Sequence, residues 1–374
     1  MKFTIGKGEL LRGVGRIQSI VEKRNTMPIL ANVHIDAQKS GTDGLLELAA
    51  TDLEVGIRST HPADVKKPGR LTVSAKKLHE ILRELPEEPV HLEATPNAYL
   101  SLRCARAAFD LAGNAAEEYP ALPALTPGAS VAVAGLLLGQ MIERTMYAAS
   151  ADETRYNLNG VFVEFISETQ KLRMVATDGH RLAYVDRPLG VVLEGLGRGV
   201  IIPRKGLAEL KRLVDEDDSD EVELGFEGNS AVVRKRGVTL SMRLIEGEFP
   251  NYRQVIPKPG QHQIVMPSEP IIQALRRVIV IAAERSRAVK VELASGTLRL
   301  TSSNPDLGEA REELDIDYMG EDLAVAFNAR YLLDALSNLG AKEIRLGFQD
   351  AVSPAQVAPA DDPDTLAVVM PMRL

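Results

Sequence analysis

A tripeptide recurs along this chain at one interval. Ala50-Thr51-Asp52 is followed 126 positions later by Ala176-Thr177-Asp178, and after another 126 by the degenerate Ser302-Ser303-Asn304. Each ends an apolar run: Leu45-Leu46-Glu47-Leu48, Leu172-Arg173-Met174-Val175 and Leu298-Arg299-Leu300. A helical register recurs as well, in Leu10, Val14, Ile17 and Val21, then Leu138, Ile142, Thr145 and Ala149, then Ile271, Leu275, Val278 and Ala282. The spacing i, i+4, i+7, i+11 places each set on one helix face. A shared pattern at a shared period predicts three copies of one supersecondary unit. Only the middle copy extends into Gly179-His180-Arg181-Leu182-Ala183, so function is expected to break the symmetry there.

Each unit reads as strand, helix, strands closing on the tripeptide, a second strand and helix, and further strands. The second helices are predicted over 75–85, 204–214 and 329–339. Acidic, proline-containing segments, Glu117-Glu118-Tyr119-Pro120 and Glu246-Gly247-Glu248-Phe249-Pro250-Asn251-Tyr252, read as linkers. They place domain boundaries near 126 and 260, giving domains 1–126, 127–260 and 261–374. The segment 354–365, rich in proline and aspartate, reads as a mobile excursion. Two helices packed on a sheet in each unit make an α+β layer architecture. Three units are expected to form an arc with sheets outside and helices inside.

Composition narrows the class. A chain of 374 residues, 45% hydrophobic and 26% charged, is long enough for two or three ordinary globular domains. No apolar run approaches ~18 residues and no secretory leader is evident, so a cytoplasmic protein without membrane contact is expected. The lone Cys104 excludes an internal disulfide and reads as a small buried hydrophobe. A net charge of −8 argues against a protein that coats nucleic acid, while leaving room for a local basic surface.

Catalysis finds little support. Asp178 and His180 could form a base and its orienter, the basis of a hydrolase alternative. No Gly-x-Ser-x-Gly or Cys/His arrangement supplies a nucleophile. The histidines (34, 61, 79, 91, 180, 262) show no metal-ligand spacing, and Gly6-Lys7-Gly8 lacks the rest of a phosphate loop. Neither metal nor cofactor is expected. Asp52 and Asp178 are better explained as turn formers that accept backbone N–H groups. Basic residues gather on predicted helices: Arg12, Arg16, Lys76, Lys77, Arg83, Arg144, Arg204, Lys205, Lys211, Arg212, Arg276, Arg277 and Arg330. With acidic charge concentrated in strands and loops, this suits enclosure of a polyanion by phosphate contacts without base readout. The absence of Trp disfavours base stacking.

The chain resembles the β sliding clamps of bacterial DNA polymerase III along its whole length. The resemblance is carried by Met1-Lys2-Phe3-Thr4, Met27-Pro28-Ile29-Leu30, Leu158-Asn159-Gly160, Ala176 through Ala183, Pro203-Arg204-Lys205-Gly206, Phe249-Pro250 and Met370-Pro371-Met372-Arg373-Leu374. It implies a head-to-tail homodimer, six domains in a ring around duplex DNA. It implies no catalysis. The ring would tether the polymerase α subunit, the clamp loader, other polymerases and repair proteins through a peptide pocket. Matching pocket positions are Leu158, Thr177, Gly179, His180, Arg181, Leu182, Pro250, Val255, Asn328, Tyr331, Val352, Val368, Met370, Pro371, Met372 and Arg373. Gln254 stands where many relatives carry Arg. For DNA the family pattern carries over to Arg24, Arg155, Tyr156, Arg204 and Lys205. For the protomer interface it carries over to Phe109 and Leu111 on one side and Val280 and Ile281 on the other. Arg106 would face Asp306 and Glu309, while Ala108, Gly308 and Arg311 replace charged residues of some relatives. A peptide-binding adaptor that never encloses DNA is the other alternative.

Overall fold

The structure, a computed structural model, describes residues 1–21, 27–40, 43–121, 130–190, 193, 196–216, 221–283 and 287–373. Among them are six α-helices, two for each sequence repeat: α1 (Lys7–Gln18), α2 (Ala75–Glu84), α3 (Gly135–Met146), α4 (Arg204–Asp215), α5 (Ser268–Val278) and α6 (Ala329–Asn338). The periodic residues within the helices are the buried ones, while the last of each set, Val21, Ala149 and Ala282, falls beyond the helix end. Leu10, Val14 and Ile17 on α1, Leu138, Ile142 and Thr145 on α3, and Leu275 and Val278 on α5 are all inaccessible to solvent. Helix starts follow local chemistry. The Ser74 hydroxyl accepts from Lys77 N at 3.3 Å before α2, and the Asn328 side chain accepts from Arg330 N at 3.0 Å before α6, each satisfying a donor the helix leaves open.

The chain divides into two compact units. Unit one comprises Met1–Gly135, Leu193–Gly195 and Ala208–Leu244; unit two comprises Leu136–Val192, Leu196–Leu207 and Ile245–Leu374. Unit one holds a 13-stranded sheet in the order Ser130–Ala134, Glu221–Glu227, Ser230–Lys235, Val238–Arg243, Val55–Pro62, Asp43–Thr51, Asn32–Ser40, Gly69–Ser74, Ala107–Asn114, Tyr99–Cys104, Pro89–Ala94, Lys2–Gly6, Asp64–Lys67. Unit two holds two sheets. One runs Val200–Pro203, Gly160–Ile166, Lys171–Thr177, Arg181–Pro188, Thr365–Val369, Ala355–Pro359, Glu343–Phe348, His262–Pro267. The other runs Gly308–Asp315, Thr297–Asn304, Ala288–Ala294, Leu323–Asn328, Pro371–Met372. Ladders are antiparallel throughout, so alternate residues fill the core, as in Ala288–Ala294 with Val289, Val291 and Leu293 inside.

The sheets cross the repeat boundaries in one register. Val55 of the first repeat pairs with Met242 of the second, and Arg181 of the second pairs with Val369 of the third. The equivalent strands with no such partner are Gly308–Asp315, at the end of its sheet, and Ala107–Asn114. The latter meets Gly69–Ser74 only through Thr72 with Asn114 and Val73 with Gly113, so its first six residues are bonded on one side alone.

One expectation needs correction. Residues 354–365 are no excursion: Ala355–Pro359 is an internal strand, and Asp362 ion-pairs with Arg144 at 2.9 Å and Arg187 at 2.6 Å. Proline ends the strand at Pro359 rather than preventing it, and the aspartates serve as ion-pair acceptors. The segment 246–252 ends packed within unit two, where Tyr252 is 3% exposed and lies with Val175, Leu182 and Val368.

Candidate peptide pocket and nucleic-acid interface

The middle tripeptide forms the turn its residue types favour. Asp178 Oδ1 accepts from His180 N at 2.9 Å and Arg181 N at 3.1 Å, while Thr177 Oγ1 donates to Arg181 O at 2.6 Å and accepts from Gly179 N at 3.1 Å. The first copy repeats this bond for bond. Asp52 Oδ1 accepts from Glu54 N at 2.9 Å and Val55 N at 2.6 Å, and Thr51 Oγ1 donates to Val55 O at 3.0 Å and accepts from Leu53 N at 2.9 Å. The turn requires a left-handed residue, Gly179 at φ 87° in one copy and Leu53 at φ 79° in the other. The third copy carries Pro305 there, whose ring forbids that conformation. Asn304 keeps only an Asp306 N bond of 3.0 Å.

This geometry removes the base-and-orienter reading. The Asp178 carboxylate is spent on backbone N–H groups and on Arg181 Nε, 3.1 Å away. The His180 ring instead stacks on Tyr331, centroids 6.1 Å apart and planes 16° from parallel. Arg181 completes the corner: it reaches Asp334 at 2.7 Å and lies 4.6 Å from the Tyr331 ring and 5.4 Å from that of Tyr147. A guanidinium held between two carboxylates and two aromatic faces is rigid, which fixes the wall on which His180 stands.

Beside that wall lies an apolar floor. Leu182 pairs with Val368 across the ladder, and both pack with Val175 and Tyr252, with Phe162, Phe249 and Ile256 around them. Phe162 and Phe249 stack at 5.0 Å. Met370 N donates to His180 O at 2.9 Å, bringing the C-terminal strand to the turn, and Met370 itself is 40% exposed. Pro371 and Met372 pair with Phe327 and Ala326, next to Asn328. Leu158 is buried at the end of the 3-10 helix Glu153–Leu158. Pro250 and Arg373 are exposed, and Val255 and Val352 stand out at 49% and 77%. Sequence reading missed Tyr147, Asp334 and Tyr252. Asp334 had a signal, its i, i+4 spacing from Arg330, which it meets at 2.9 Å.

Of the nucleic-acid candidates, Arg24 lies outside the described residues. Arg155 is partly exposed but engaged, donating from Nη1 to Asp178 O at 2.8 Å and pairing with Asp152 at 3.3 Å. Tyr156 is 60% exposed, and Arg204 lies exposed at the start of α4 with Lys205 beside it. Much of the other helical basic charge is paired within the chain: Arg16 with Glu216, Arg144 with Asp362, Lys211 with Asp215, Arg212 with Glu209 and Arg277 with Glu312. Counting cations therefore overstates the charge available to a polyanion. Among interface candidates, Phe109 and Leu111 lie on Ala107–Asn114, Phe109 being 38% exposed. Val280 and Ile281 follow α5 in a turn, Asp306 is exposed in the turn before Gly308–Asp315, and Glu309 is exposed at the start of that strand. Arg106 lies exposed in the turn before Ala107–Asn114, whereas Arg311 pairs with Glu313 on its own strand.

No helix among the described residues is long and apolar enough to cross a membrane. Three family models match in succession: the N-terminal domain of the DNA polymerase III beta subunit over residues 1–123, its central domain over 132–251 and its C-terminal domain over 253–373. The beta sliding clamp of Caulobacter vibrioides is 36% identical and that of Escherichia coli K12 32% identical, each alignment covering 100% of both chains. Among solved structures, the DNA polymerase III subunit beta of Pseudomonas aeruginosa superposes with a TM-score of 0.92 at 32% identity. The sliding clamp of Bartonella birtlesii bound to griselimycin gives 0.93 at 33%, and both comparisons cover 100% of each chain. With three clamp domains of α+β architecture, a twice-built Asx turn and full-length likeness on both counts, the chain belongs to the β sliding clamp family of bacterial DNA polymerase III.

Proposed function

We propose that this protein is a cytoplasmic, non-catalytic processivity factor of DNA replication. Two copies close head to tail into a ring around duplex DNA and tether polymerases, the clamp loader and repair proteins. The observation that carries it is the pair of strands left without an inter-repeat partner. Twice within the chain, one repeat is stitched to the next through the same strand register. The third repeat offers Gly308–Asp315 at a sheet edge, and the first offers Ala107–Asn114, whose first six residues are bonded on one side alone. A second copy supplies what each edge lacks, and a heterologous contact repeated twice closes into a ring. Boundaries near 126 and 260 give three domains per chain. Phe109 and Leu111 meet Val280 and Ile281 of the other copy, with Arg106 near its Asp306 and Glu309. Arg24, Arg155, Tyr156, Arg204 and Lys205 touch phosphates.

Tethering uses the floor of Leu182, Val368 and Met370 beneath His180 and Tyr331. A linear peptide that presents a glutamine and large aliphatic or aromatic residues buries its apolar side chains there, each contributing ~1.5–3 kcal/mol before ordering costs. The flexible Met370 and Met372 let one groove accept several sequences. The deciding experiment loads the protein on nicked circular duplex and then linearises the circle. Enclosure predicts retention on the circle and loss from the linear form. Equal retention on both would leave ordinary surface binding and defeat the proposal.

A further inference from the structure

Because both repeat junctions share a register, the pocket has a counterpart within unit one. Val55 and Met242 pair where Arg181 and Val369 do, and Arg243 N donates to Glu54 O at 2.8 Å where Met370 N donates to His180 O at 2.9 Å. A cavity of about 280 Å³ opens at that corner, lined among others by Thr51, Leu53, Glu54, Gly56, Ser241 and Arg243. The register puts these at the places of Thr177, Gly179, His180, Leu182, Val368 and Met370.

The walls keep their backbone and change their chemistry. Gly56 and Ser241 replace the aliphatic floor, and the Ser241 hydroxyl donates to Gly56 O at 3.3 Å. Arg243 replaces a thioether and Glu54 replaces an imidazole. Both are exposed, and among the described residues neither side chain has a hydrogen-bond or ion-pair partner. Arginine only donates and an ionised glutamate only accepts, so the complementary ligand places an acceptor beside a donor. A carboxamide does so. A carboxylate would satisfy Arg243 but meet Glu54, an ammonium would do the reverse, and an aliphatic group would desolvate both charges for nothing.

We propose that this corner is a second peptide socket, one that takes a glutamine or asparagine side chain from a linear segment of a tethered partner. The proposal deepens the tethering reading, on which it rests. It is tested with unlabelled glycine–serine hexapeptides carrying one central glutamine, glutamate, lysine or leucine. Each is titrated against the full-length protein by saturation-transfer NMR. The glutamine peptide is expected to bind more tightly than the glutamate and lysine ones, and Arg243→Ala to weaken it roughly tenfold by removing a charge-assisted hydrogen bond. The isosteric Glu54→Gln variant should let the glutamate peptide bind as well as the glutamine one. An aliphatic peptide directed at the Leu182 floor is the control, and its affinity should be unchanged in both variants. If that control fails on the unaltered protein, the tethering reading fails, whatever the socket does. If the glutamine peptide binds no better than the glutamate and lysine peptides, or ignores Arg243→Ala, the socket does not exist.

Discussion

Leu53 and Gly179 occupy one position of a duplicated turn, and only one of them suits it. At φ 79° a leucine side chain crowds its own backbone, a cost of roughly 1–2 kcal/mol that glycine avoids. Glycine returns part of that gain through its freer unfolded chain, ~0.4–1 kcal/mol. Leu53→Gly should therefore stabilise unit one by ~1 kcal/mol or less, read as a higher denaturation midpoint. A lower midpoint would mean that the half-exposed Leu53 side chain packs more usefully than its backbone suffers. The turn was legible in sequence because its hydrogen bonds are local, from Asp178 and Thr177 to residues two to four away. The wall behind it was not. Tyr147 and Asp334 come from distant segments and meet Arg181 only through the fold, as Tyr252 meets the Leu182 floor, and each alone reads as core, helix surface or linker.

At the scale of elements, α1 is latched to its sheet by a polar relay in an otherwise apolar contact. Glu9 Oε1 lies 2.6 Å from His61 Nδ1, and His61 Nε2 lies 2.8 Å from Ser59 Oγ. Ser, His and acid in this order would suit a hydrolase, but Ser59 and His61 are 0% and 1% exposed, so no substrate reaches them. Gly13 makes room for the latch, since a Cβ there would sit 2.5 Å from His61 Nε2. The hydrogen bond from His61 holds the Glu9 carboxyl below its ordinary 4.5. A carboxyl depressed in the folded state stabilises above its unfolded pKa and loses that stability as pH falls through the folded value. Glu9→Gln should therefore lower the unfolding midpoint at neutral pH, and the gap from the unaltered protein should close as the pH drops below 4.5. A gap that stays constant through acid would assign the latch no ionic contribution. The helix itself was plain from its spacing. The latch was hidden, because Glu9 and His61 lie on separate elements and a lone histidine gives no sign of its partner.

For the whole molecule, helices and hairpins could be read because each is stabilised by neighbours in sequence. The stitching of repeats could not, because Val55 and Met242 are joined across most of two repeats with no local signal at either end. Ring closure extends that logic beyond one chain. If Ala107–Asn114 accepts the third repeat of a second copy, Phe109 leaves water on assembly, and a charge in its place would be buried unpaired at a cost of several kcal/mol. Phe109→Asp should then sediment as a monomer at concentrations where the unaltered protein is a dimer. Because Phe109 is already 38% exposed in the single chain, its fold should survive, as circular dichroism would report. The two proposed activities then come apart. Retention on circular DNA requires a closed ring and should vanish. Binding of an aliphatic peptide requires only the Leu182, Val368 and Met370 floor of one unit and should persist at unchanged affinity. A Phe109→Asp protein that stays dimeric and circle-retained would place the interface elsewhere, and one that loses peptide binding as well would mean the pocket depends on the partner copy.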